Sequence, residues 1–123
     1  MANEPHLRAA VPVLPVDDLS AAIAWYRDRL GFDLAWTWGD PVTLASIYRD
    51  EVELNLTQRG PAGPAGAFTV YVQMVGVDAF QDECERRGAA VAVPIGDRSY
   101  GMRDFGVLDP SGNKLDFGEP LVE

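Results

Sequence analysis

Few side chains in this sequence could carry covalent or metal chemistry. His6 is the single histidine and Cys84 the single cysteine among 123 residues. A serine or cysteine nucleophile needs a base beside it, and one histidine on an N-terminal arm is poorly placed to serve a groove in mid-fold. Cys84 shares helical spacing with Val77 and Phe80, which reads as a buried thiol rather than a nucleophile. No phosphate-cradling glycine loop occurs. Gly60 to Gly66 is glycine-rich, but its prolines withhold backbone N–H groups from an anion, so it reads as a linker. Aromatic rings and carboxylates remain. Trp36 and Trp38 stand two apart on a predicted strand and point the same way. Flat ring faces suit flat ligands, a stacked pair contributing about 0.5–1.5 kcal/mol beyond burial. Two tryptophans on one strand face are either a block of core or a platform.

The charge balance narrows the partners. Ten Lys and Arg stand against 19 Asp and Glu, a formal charge of -9. Phosphate recognition needs a positive surface, so nucleic acid and anionic membranes are poor partners. The field favours a cationic or amine-rich ligand, although net charge also serves solubility alone. One cysteine forms no internal disulfide. No apolar run approaches the roughly 20 residues of a membrane-spanning helix. Met1 to Pro5 lacks the basic-then-apolar pattern of a signal peptide. The expected location is the cytoplasm.

The elements that would position these residues repeat. Leu7–Leu14 reads as a strand with Pro12 inside it, hence an edge strand or a distorted one. Asp17-Asp18 offers a helix N-cap, Leu19, Ala22, Ile23, Tyr26 and Leu30 follow at helical spacing, and Gly31 ends the helix. Strands are predicted over Phe32–Trp38, with Leu34, Trp36 and Trp38 on one face, then Val42–Tyr48 and Glu51–Thr57. After the linker the pattern restarts: strand Phe68–Val75, a helix opened by Asp78 and ended by Gly88, then strands Ala89–Ile95, Arg103–Leu108 and Asn113–Phe117. The expected fold is α+β: two βαβββ modules, about residues 7–57 and 67–118, joined by linker 58–66 into a single domain over 1–123. Each module is a curved mixed sheet with its helix outside, leaving a concave groove, where ligands bind.

Ala10-Val11-Pro12-Val13-Leu14 followed by Asp18, then Trp25 to Phe32, and the closing stretches Tyr100 to Phe105 and Asp109 to Asn113 resemble the vicinal-oxygen-chelate superfamily. That superfamily holds glyoxalase I, extradiol dioxygenases and the fosfomycin- and bleomycin-resistance proteins. Within it, the Ala-Val-Pro-Val-Leu strand and the Tyr-Gly-Met-Arg-Asp-Phe segment are most similar to the bleomycin-binding proteins.

The resemblance implies a ligand set and a partner. Its enzymes hold a divalent metal through a first-strand histidine and a last-strand carboxylate or histidine in each module. The corresponding positions here are Val11, Glu53, Tyr71 and Asp116. Two carboxylates fall short of the three or more protein groups a mononuclear site needs, so no metal and no cofactor are expected. Tyr100 matches the position where a ring stacks on the drug's planar part. The candidate ligand-binding residues are Trp36, Trp38, Tyr48, Glu53, Asn55, Tyr71, Tyr100, Gly101, Met102 and Asp116, with Gly101 and Met102 offering backbone groups. Bleomycin-binding relatives are homodimers that exchange the N-terminal strand near a proline, which Pro12 matches. The expected function is non-catalytic sequestration of a bleomycin-like or other flat cationic natural product. A metal-dependent lyase or dioxygenase, with His6 supplied by a swapped arm, and an interaction module without a small ligand are the alternatives.

Overall fold

Asp18 starts the first helix by accepting a hydrogen bond from the backbone N–H of Ala21 at 3.1 Å, as an N-cap carboxylate does. In the computed structural model, which describes residues 4–60 and 68–121, this helix is α1, Leu19–Leu30. Gly31 closes it at φ 72°, in the left-handed region that favours glycine. The remaining elements are β1 (Val13–Val16), β2 (Asp33–Gly39), β3 (Val42–Arg49), β4 (Val52–Gln58), β5 (Thr69–Gln73), α2 (Val77–Arg86), β6 (Val91–Asp97), β7 (Met102–Leu108) and β8 (Lys114–Pro120). They form two four-stranded sheets ordered β1-β4-β3-β2 and β5-β8-β7-β6. Each has one parallel pair, β1 with β4 and β5 with β8, and antiparallel pairs otherwise. The βαβββ repeat is therefore present twice in one arrangement. Among the described residues, no helix is long and apolar enough to cross a membrane.

Several local expectations are corrected. The first strand begins at Val13, after Pro12 rather than around it. Proline has no N–H to give a ladder, and Pro12 contributes only its carbonyl, which accepts from Asn55 N at 2.9 Å. The second helix is not opened by Asp78. Gly76 is its N-cap at φ 87°, and the carboxylate of Glu119 on β8 accepts from Val77 N at 2.9 Å. Asp78 lies in the first turn, bonded to Arg103 at 2.8 Å. Gln58 belongs to β4 rather than to the linker, and its side chain accepts from Leu19 N at 2.9 Å. Linker residues 61–66 lie outside the described residues.

The two modules share one buried cluster. Leu14, Val16, Tyr26, Ile47, Leu54 and Leu56 of the first meet Val77, Phe80, Phe105, Leu115 and Phe117 of the second within it. Each sheet turns alternate residues toward its helix. Ala45, Ile47, Leu54 and Leu56 are buried under α1, and Phe105, Val107, Leu115 and Phe117 under α2. The other residues of these strands point away from the helices, and several of them, such as Trp36, Trp38, Tyr48 and Tyr71, are exposed on an open face. Arg49 ties the modules at the helix side, with its guanidinium 2.7 Å from Glu83 on α2 and 4.9 Å from the centre of the Phe80 ring.

Candidate functional site

The open face of the first sheet follows from strand register. Tyr48 opposes Glu53 and Ser46 opposes Asn55. Trp36 pairs with Ser46 and Trp38 with Leu44. All alternate with the buried Ala45 and Ile47, so Trp36, Trp38, Tyr48, Glu53 and Asn55 share the face away from α1. A bulge between Leu34 and Trp36 sets Leu34 opposite Ile47 instead, so Leu34 does not share the tryptophans' face as predicted. An extra residue on one strand shifts the alternation by one. Trp38 is 67% exposed and Trp36 44%. Neither packs on another ring among the described residues. Glu53 accepts from the Ser46 hydroxyl at 3.1 Å. The side-chain oxygen of Asn55 is buried and has no hydrogen-bond partner among the described residues. A buried acceptor in that state leaves its desolvation uncompensated.

The open face of the second sheet is built around a residue absent from the sequence-based set. Asp104 on β7 is 4% exposed. Tyr71 on β5 donates its hydroxyl to Asp104 Oδ2 at 2.9 Å, Tyr100 donates to the same oxygen, and Arg98 Nε donates to Oδ1 at 2.7 Å. Burial pushes this carboxyl up, but the bonds from Arg98, Tyr100 and Tyr71 outweigh it and hold it below the usual carboxylate range. The phenols move the other way. Burial, then the Asp104 bond, raise Tyr71, and the Asp104 bond chiefly raises Tyr100. Both therefore stay protonated donors. Asp116 opposes Tyr71 in the ladder and lies 3.3 Å from Lys114 Nζ. Glycines clear this face: a Cβ at Gly106 would stand 2.6 Å from Asp116 Oδ1, and one at Gly118 would collide with the Tyr71 hydroxyl. Gly101 and Met102 are less available than expected. Gly101 N–H donates to Arg98 O at 3.1 Å, Gly101 O accepts from Leu121, and Met102 O accepts from Arg98.

A cleft of about 240 Å³ brings Glu53 and Tyr71 together beside Ala10 and Pro12. Trp36 and Trp38 lie toward the far edge of their sheet, across β3 from β4, so they do not line it. A larger cleft of about 1010 Å³, between Arg49, Glu83, Phe80 and Phe117, contains none of the sequence-predicted residues. The four positions aligned with metal ligands do not fit a metal. Val11 has no donor atom, the Tyr71 hydroxyl is committed to Asp104, and Asp116 is paired with Lys114. Asp104 could have been found by period-two alternation from Met102. Nothing in the sequence links it to Arg98.

Known proteins share this fold. A family model described as Glyoxalase/Bleomycin resistance protein/Dioxygenase superfamily matches residues 6–117. A bleomycin resistance protein of Geobacillus stearothermophilus is 25% identical, the match covering 91% of this chain and 96% of that protein. The bleomycin-binding protein of bleomycin-producing Streptomyces verticillus, solved with copper(II)-bleomycin, superposes with a TM-score of 0.73 at 26% identity, over 93% of this chain and 97% of that one. A lactoylglutathione lyase from Agrobacterium tumefaciens gives a TM-score of 0.75 at 24% identity, over 94% and 96% of the two chains. One fold thus serves a binding protein and an enzyme. With its two βαβββ sheets and a family match over nearly its whole length, the chain belongs to the glyoxalase/bleomycin resistance protein/dioxygenase superfamily.

Proposed function

We propose that this protein binds a flat, cationic natural product of the bleomycin type and sequesters it without chemical change. The observation that carries this reading is the pair Trp36 and Trp38, exposed side by side on the open face of the first sheet. Exposed tryptophans with no ring packed on them offer their faces to a planar ligand. Glu53 and Asp116, with the net charge of -9, suit a cationic group on that ligand. The donor set at Val11, Glu53, Tyr71 and Asp116 disfavours the metal-dependent alternative. Similarity to the bleomycin resistance protein and to the bleomycin-bound structure supports the ligand class.

In this reading the two modules act as a single domain and the protein works as a cytoplasmic homodimer. Val13, Trp36, Trp38 and Tyr48 leave the first open face apolar, and a second copy exchanging the segment before Pro12 covers it. The groove then holds residues of both copies, among them Tyr71 and Tyr100 facing the tryptophans. Titration of the purified dimer with metal-free and copper-bound bleomycin, followed by mass analysis of the recovered drug, tests the proposal. Binding with intact drug supports sequestration. Altered drug points to catalysis, and absence of binding removes the bleomycin class.

A further inference from the structure

We propose that Asp104 is a positioning residue for the open face of the second sheet, gathering Tyr71, Tyr100 and Arg98 onto one carboxylate and so clamping the loop between β6 and β7 over that face. Three donors from two segments end on it. Tyr71 comes from β5, while Arg98 and Tyr100 come from the loop. Arg98 also donates to Pro94 O at 2.8 Å and to Asp104 O at 3.1 Å, which ties the loop to both flanking strands. The loop closes on itself through Arg98 N–H to Met102 O at 2.7 Å, and Gly101, at φ 87°, makes the reversal possible.

Asp104 is nearly covered, while Tyr100 is 65% and Tyr71 39% exposed. The carboxylate therefore orients the rings rather than meeting a ligand itself. With both hydroxyls engaged, the tyrosines offer ring faces instead of free donors. Gly118 leaves room for the Tyr71 hydroxyl, which a methyl group there would displace. A fixed ring loses less freedom when a ligand stacks on it, so clamping favours affinity. This last consequence rests on the proposed ligand class; the clamp itself does not.

Asp104→Asn keeps the shape and removes the charge. Tyr100→Phe removes one tether from an exposed side chain and leaves the core untouched. Limited trypsin digestion of the full chain, with cleavage sites mapped by mass spectrometry, reads the loop at Arg98. Cleavage there should rise about fivefold or more in D104N and less in Y100F, as local opening becomes easier. Ultraviolet titration should find phenols ionising at lower pH in D104N, because the carboxylate that holds their protons is gone. Copper-bound bleomycin should bind D104N about tenfold more weakly than the wild type. Unchanged cleavage after Arg98 and an unchanged phenol titration would overturn the clamp. A loosened loop with undiminished affinity would overturn the positioning role. A loosened loop in a protein whose wild type binds no bleomycin would uphold the clamp and reject the ligand class.

Discussion

The hydroxyl of Tyr26 on α1 donates to the carboxylate of Asp109 at 2.7 Å, joining residues 83 apart in sequence. Both are buried. Asp109 also accepts from the N–H groups of Ser111 and Asn113 and from the Asn113 amide, which in turn donates to Pro15 O at 2.8 Å. The turn between β7 and β8 is thereby fastened to α1 and β1. This joint and the Arg49–Glu83 pair fix how the two sheets sit together, and so where their open faces point.

Tyr26→Phe should lower stability by about 1 kcal/mol, the scale of one net intramolecular hydrogen bond. Asp109→Ala should cost more, about 3 kcal/mol, because it strands several buried donors at once. Urea unfolding measures both. Equal losses in the two variants would contradict a network centred on Asp109.

Glu83 gives the fold a dependence on acid. Its bond from Arg49, helped by Arg87 and opposed by burial, lowers its carboxyl to about 2. A carboxyl that is more acidic when folded contributes stability above its unfolded value, about 4.3, and that contribution fades as pH falls toward about 2. Thermal melts of wild type and Glu83→Gln from neutral pH downward should show the wild type ahead at neutrality, with the gap closing in acid. A gap independent of pH would assign the effect to packing.

Cys84, on the core-facing side of α2, is fully buried, and burial pushes its thiol up to about 12. It should resist alkylation by iodoacetamide in the native protein and react at once in denaturant. Rapid native labelling at stoichiometric yield would mean that α2 opens readily.

Fold and site were legible to different depths. Asp18, Gly31 and the spacing of Leu19 to Leu30 announce α1 because capping and periodicity are local. The repeat was equally visible, since strands alternating with one helix leave the same pattern twice. The start of the second helix is not legible locally, because the carboxylate that accepts from its first N–H, Glu119, lies 42 residues from Val77. The face of Leu34 does not follow from the sequence, because a bulge is a property of pairing and not of composition. The tryptophan face could be read from a two-residue spacing. The Asp104 cluster could not, because Tyr71, Arg98 and Tyr100 meet only after β5, β7 and the loop between β6 and β7 are in place.

Calorimetric titration of wild type and Trp38→Ala with copper-bound bleomycin tests the tryptophan platform most directly. The wild type should bind one drug per subunit and the variant at least tenfold more weakly, about 1.4 kcal/mol, with the fold of each chain intact because Trp38 is 67% exposed within it and with the dimer confirmed by sedimentation. Equal affinity in the two proteins would contradict the claim that the exposed tryptophans form the ligand platform.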